Sequence, residues 1–128
     1  MTKQRLADDL DRALQSWECE ATAEGLRFSG SYSFPPDFPA FAGHFPERAV
    51  LPAIVQLALV RQLAELALAK KLLTRACQRT KFRLVVGVDQ LLDVQGQLRA
   101  QDNGWQAEFS LSRQDEQVAA GRLFLEEQ

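Results

Sequence analysis

The 128-residue chain holds one histidine, one methionine, one tyrosine and two cysteines. His44 stands alone, and Cys19 and Cys77 lie 58 residues apart, so no Cys/His cluster at zinc spacing can be built. No metal site and no cofactor is expected. Two cysteines are also too few for a disulfide framework, and both are read as buried, reduced thiols. Long hydrophobic runs are missing as well. The longest, Ala49 to Val60, contains Pro52 and Gln56 and stops at Arg61, short of the about 18 to 20 apolar residues that span a bilayer. No transmembrane helix is expected. Asp8, Asp9 and Asp11 fall where a signal peptide needs an apolar core, so the expectation is a cytoplasmic protein.

What is present is the balance of a soluble globular protein: 46% hydrophobic and 25% charged residues, in a length that suits a single domain, 1–128. There is no internal repeat and no low-complexity linker. Fifteen basic residues face seventeen acidic ones, unevenly spread. Between Leu66 and Val88 stand Lys70, Lys71, Arg75, Arg79, Lys81 and Arg83 with no Asp or Glu, which leaves 9 basic against 17 acidic residues for the rest. A basic patch first suggests nucleic acid, but the pI of about 5.4 and the lack of interleaved exposed aromatics speak against it. A small acidic protein partner suits the patch better, the plain alternative being a solvated helix end and strand edge.

Leu6, Leu10, Ala13, Leu14 and Trp17 have helical spacing, which predicts an amphipathic helix over 2–17. From Leu26 to Phe34 the period becomes two, that of a half-buried strand, and Pro35, Pro36 and Pro39 stop it. After the proline loop, Pro52 is placed to open a helix over about 51–73. Its first three turns are apolar nearly all round, the pattern of a helix enclosed by protein, and Lys70 and Lys71 suit its carbonyl end. Three alternating segments follow at 81–86, 92–100 and 105–112, the last two joined by the tight-turn pair Asn103-Gly104, and a final strand is expected at about 118–125. The order predicts an α+β fold in which an antiparallel sheet wraps one long central helix, with an additional N-terminal helix. One sheet covers only one side of such a helix, so a homodimer or a close partner is expected to finish its burial.

The segment richest in chemistry is Phe41-Ala42-Gly43-His44-Phe45-Pro46-Glu47-Arg48-Ala49-Val50-Leu51-Pro52-Ala53-Ile54-Val55-Gln56-Leu57. It resembles the hallmark FxGHFPxxPVxPGVxxxE of the hotdog-fold 3-hydroxyacyl-(acyl carrier protein) dehydratases, and is similar above all to the aryl-polyene type, which ends in VxPGVVQLD. Lys81 to Leu91 is similar to the same family's KFRxPVxPGDxL, with its prolines replaced.

The resemblance implies a hotdog fold, a 3-hydroxyacyl thioester on acyl carrier protein as substrate, and a site shared between subunits. Dehydration needs a base for the C2 proton, an acid for the departing C3 hydroxyl, and donors at the thioester oxygen. His44 is the natural base. The N–H groups of Ala53 and Ile54, behind Pro52, are the candidate donors at the helix start. Phe41, Gly43, Phe45, Pro52, Ala53, Ile54 and Ala58 are the implied substrate-contacting positions. Two departures stand out: the family's glycine after the proline is Ala53, and its catalytic carboxylate, fourteen residues past the histidine, is Ala58. Gln62, one turn further, shares that face but is a poor acid.

The expected function is a dehydratase-like protein of fatty acid, polyene or polyketide metabolism with an incomplete catalytic pair. It acts as a homodimer, or as a heterodimer in which a paralogous subunit brings the acid. The alternative is a non-catalytic subunit that holds an acyl thioester or its carrier protein. An acyl thioesterase is a further variant, against which the missing carboxylate also counts. Lys70, Lys71, Arg75, Arg79, Lys81 and Arg83 are the candidate docking residues for the acidic carrier protein.

Overall fold

The computed structural model describes residues 3–39 and 50–128. Helix α1 (Lys3–Ala13) leads directly into strand β1 (Leu14–Thr22), which pairs with β2 (Gly25–Ser33). Helix α2 (Ala53–Leu68) follows, then β3 (Leu72–Phe82), β4 (Leu91–Gln101), β5 (Gly104–Arg113) and β6 (Glu116–Glu127). The strands form one six-stranded sheet in the order β1-β2-β4-β5-β6-β3, and every pairing is antiparallel.

Register explains the two faces. One row across the sheet runs Trp17, Gly30, Val94, Leu111, Ala119, Phe82, and the next begins Cys19, Phe28, Gly96, Phe109, Gly121. These alternate residues form the inner face, against which α2 lays Val55, Leu59, Val60 and Leu63, all buried. Each such side chain contributes about 1.5–3 kcal/mol by leaving water. The glycines in these rows make room for bulk: a Cβ at Gly30 would meet Leu63, and one at Gly96 would lie 2.4 Å from Phe28 Cζ. The intervening residues, among them Ser29, Ser31, Asp93, Gln95 and Glu108, face outward, as the period of two requires.

Four expectations need correction. The N-terminal helix stops at Ala13 rather than running to residue 17. Gln15 Nε2 donates to the Ala13 carbonyl, and the alternation Trp17, Cys19, Ala21 against Glu18, Glu20 then serves β1 beside β2. The central helix ends at Leu68 rather than 73. Ala69 takes a left-handed conformation (φ 54), the Lys70 N–H reaches the Glu65 carbonyl, and Glu65 Oε2 accepts the Leu72 N–H at 2.8 Å. No glycine marked this stop; pairing of the following residues with β6 overrides the helix preference of Leu, Ala and Lys.

The third correction concerns 81–86, where only the first two residues are strand, the end of β3. Beyond them Arg83 and Leu84 donate to the Val118 carbonyl, and Val86 turns its carbonyl to the Leu51 N–H at 2.8 Å, fastening this segment to the start of α2. Lastly, Cys19 and Cys77 are free thiols but exposed, since both lie on the two edge strands.

Candidate active site

Leu51 and Pro52 carry the chain onto α2. Leu51 is buried, and its carbonyl accepts Gln56 Nε2 at 3.2 Å. Pro52 is the cap residue, extended at φ −61 and ψ 149, one position before the helix rather than in its first turn. Its carbonyl accepts the N–H groups of both Val55 and Gln56 at 3.1 Å. The N–H groups of Ala53 and Ile54 have no acceptor among the described residues, and Ile54 is 77% exposed. Two unmatched donors at the positive end of a sixteen-residue helix can polarise a carbonyl oxygen or hold an oxyanion. Beneath them Gln56 is 3% exposed and its Oε1 has no hydrogen-bond partner among the described residues, so a buried acceptor sits one turn below the same helix end.

Ala58 follows one turn after Ile54 and is half-buried, with no carboxylate to offer. Gln62, a turn further, is engaged through both its amide oxygen and its amide nitrogen. Its Oε1 accepts the Tyr32 hydroxyl at 2.5 Å, and its Nε2 donates to Asp11 Oδ1 at 2.6 Å. This chain ties β2, α2 and α1 together. Burial holds the Tyr32 phenol well above its ordinary pKa, and the negative charge of Asp11 pushes the same way. The amide is therefore structural, and its shared face with Ala58 does not make it a proton donor. The sequence signal for this chain was the single tyrosine among inward residues Phe28, Gly30 and Phe34, because a buried phenol needs a partner. Phe41, Gly43, His44 and Phe45 lie outside the described residues.

The six cations do not gather into one patch. They string along the edge of the sheet, from Lys70 and Lys71 just past the end of α2, down β3, to Arg83 just beyond its end, three residues before the Val86 carbonyl that holds the Leu51 N–H. Lys70 pairs with Glu127 at 2.8 Å and Arg75 pairs with Glu126. The Lys70 and Trp105 hydrogen bonds hold the Glu127 carboxyl below its ordinary pKa. Lys71, Arg79, Lys81 and Arg83 are exposed and pair with no carboxylate among the described residues. Among the described residues no group of His, Cys, Asp and Glu could hold a metal ion, and no helix is long and apolar enough to cross a membrane.

An antiparallel six-stranded sheet in this order, with a helix laid on its inner face and a proline-capped helix start, defines a hotdog-fold protein. The chain belongs to the ApeI-like dehydratase family, which it matches over residues 20–122. Solved structures share the fold at low identity. An uncharacterized protein from Erwinia carotovora subsp. atroseptica is 20% identical with a TM-score of 0.74, over 90% of this chain and 95% of that one. The dehydratase heterocomplex ApeI:P from Xenorhabdus doucetiae is 18% identical with a TM-score of 0.67, over 88% and 96%. A putative thioesterase from Lactococcus lactis is 13% identical with a TM-score of 0.74, over 99% and 97%. No curated protein matches by sequence.

Proposed function

We propose that this protein is a dehydratase-type subunit acting on 3-hydroxyacyl thioesters of acyl carrier protein, and that its proton donor comes from a second hotdog subunit. The observation that carries the reading is the pair of N–H groups at Ala53 and Ile54, directly behind Pro52, with no acceptor among the described residues. The thioester oxygen accepts from them, which stabilises the enolate that forms as His44 removes the C2 proton. The C3–O bond then breaks, the hydroxyl leaves as water with a proton from the acid, and a 2-enoyl thioester remains. Phe41, Gly43, Phe45 and Ala58 complete the acyl-contacting positions. Ala53 adds a methyl beside the path of the thioester.

Ala58 and the commitment of Gln62 leave this part of α2 without an acid, which is why the donor is assigned to a partner. A dehydratase heterocomplex among the fold's solved examples supports a mixed pair. Carrier protein docks on Lys81 and Arg83, the end of the cationic edge next to the start of α2; Lys70 and Lys71 lie a helix length, about 24 Å, away. The same missing acid favours a second reading, a subunit that holds the acyl thioester without turning it over.

The test is incubation of the purified protein with a panel of short, long and aryl 3-hydroxyacyl carrier proteins, following loss of water by mass spectrometry, with His44→Ala and Ala58→Glu alongside. Turnover by the purified wild type that disappears in His44→Ala establishes the dehydratase and overturns the partner-supplied acid. Silence in the wild type with turnover in Ala58→Glu shows an otherwise intact site that lacks only its acid, the result expected when a partner supplies it. Silence in all three selects the binding subunit.

A further inference from the structure

Between the end of β3 at Phe82 and the start of β4 at Leu91 runs a link, 83–90, with no regular structure, no proline, and Gly87 in its middle. Nothing in its backbone chemistry stiffens it. Yet the start of α2 depends on it, because the Val86 carbonyl accepts the Leu51 N–H at 2.8 Å. Leu51 is held on its other side as well, where its carbonyl accepts Gln56 Nε2 at 3.2 Å. The two peptides flanking Leu51 set the direction in which the chain enters the helix, and with it the direction of the Ala53 and Ile54 N–H groups.

The Val86 carbonyl and the Gly87 N–H belong to one planar peptide, so a bond at one end fixes the direction of the other. The Val86 side chain is fully buried, but Gly87 leaves this peptide free to rotate. A hydrogen bond removes that freedom: the Gly87 N–H donates to Gln90 Oε1 at 2.8 Å. The same oxygen accepts Arg113 Nη1 at 3.1 Å, which fills its second lone pair. Arg113 Nη1 also donates to the Val85 carbonyl, one peptide back, and Val85 is 63% exposed, so hydrogen bonding rather than packing holds that peptide. Arg113 is the last residue of β5, ahead of the turn at Gln114 and Asp115, where φ is 50 and 68. In the ladder it stands opposite Glu116, a neighbour within reach of an ion pair, yet it pairs with no carboxylate among the described residues. Its charge goes instead to two neutral acceptors in the link, and bonds from an ionised donor are the strong ones.

We propose that Arg113 and Gln90 are positioning residues for the donor pair at Ala53 and Ile54. Arg113 sets Gln90, Gln90 holds the Val86–Gly87 peptide, and that peptide, through Leu51, aims the start of α2. The inference deepens the reading above, in which these N–H groups hold the thioester oxygen, and rests on it. A donor stabilises developing charge only when its direction is fixed in advance, and a misplacement of about 1 Å can cost on the order of 100-fold in rate. Both residues act through Leu51 rather than on the thioester.

Arg113→Met keeps the aliphatic stem and removes both donors, Gln90→Leu removes the shared acceptor, and Gln90→Glu keeps an acceptor for Gly87 and Arg113. In the full chain, amide hydrogen exchange is read by NMR at Leu51 and Gly87, with Phe28, Leu98 and Leu111 of the inner strands as reference. Exchange at Leu51 and Gly87 is expected to quicken at least about tenfold in Arg113→Met and Gln90→Leu, with the reference amides unchanged and Gln90→Glu close to wild type. Titration with S-hexanoyl-pantetheine, a thioester with no 3-hydroxyl to lose, then reads the donors through the amide shifts of Ala53 and Ile54. Its affinity is expected to fall about tenfold in the first two variants and to recover in Gln90→Glu. Leu51 exchange at the wild-type rate in Arg113→Met and Gln90→Leu overturns the proposal. So does a rise shared by the reference amides, which makes the two residues general stabilisers, and so does local loosening that leaves the thioester affinity unchanged. A wild type whose Ala53 and Ile54 amides ignore the thioester refutes the donor reading alone, and the exchange rates still decide whether Arg113 and Gln90 hold the helix start.

Discussion

The Tyr32–Gln62–Asp11 chain makes the sharpest quantitative prediction. Gln62→Leu removes the acceptor of the Tyr32 hydroxyl, whose residue is 0% exposed, while Asp11 is exposed and water replaces its lost donor. An orphaned buried hydroxyl costs about 1–3 kcal/mol, so Gln62→Leu is expected to lose about 2 kcal/mol. Tyr32→Phe leaves only a half-buried amide oxygen that water can reach, a loss of about 1 kcal/mol. In the double variant both polar partners are gone together, and the loss is expected to stay near about 1 kcal/mol rather than reach the sum. Urea unfolding of the four proteins, compared at constant m, gives a coupling energy of about 2 kcal/mol. Hydrogen exchange of α1 should quicken in Gln62→Leu, because the Asp11 tether links α1 to α2. Losses that add within about 0.5 kcal/mol would refute the chain as a coupled unit.

Gly96→Ala would place a methyl 2.4 Å from Phe28 Cζ and 3.0 Å from the Glu108 carbonyl oxygen, and Phe28 is fully buried. The expected loss is about 1–3 kcal/mol by thermal or urea unfolding, and a stability equal to wild type would show that the Phe28 ring has room to move. Alkaline stability reads the buried phenol. The Tyr32 pKa is raised in the fold, so the stabilisation is fully present below the ordinary value of 10.0 and is lost as pH rises beyond it, because the unfolded chain releases this proton first. The melting temperature should fall more steeply between about pH 9 and 11 in wild type than in Tyr32→Phe; parallel slopes would contradict the assignment.

The sequence alone determined the elements whose evidence is local. The two-residue period of Leu26 to Phe34 is β2, Asn103-Gly104 turns β4 into β5, and Pro52 opens the apolar helix, because each of these signals resides in neighbouring residues and needs no distant partner. The FxGHFP motif and the helix start behind it likewise pointed to the family from contiguous residues. Boundaries set by distant strands were different. Trp17 and Leu72 each sit at spacings that a helix also accepts, and only pairing of β1 with β2 and of β3 with β6 moved them into strands.

Tertiary structure also decided what each polar group does. Gln62 shares a helix face with Ala58 in the sequence, but it became a structural tie only when β2 brought Tyr32 to one side and α1 brought Asp11 to the other. The six cations form one run in the chain, yet the sheet order set them along an edge and neutralised Lys70 and Arg75 with glutamates more than fifty residues away. Charge and hydrogen bonding act through space, so composition counts such groups while the fold alone assigns their partners.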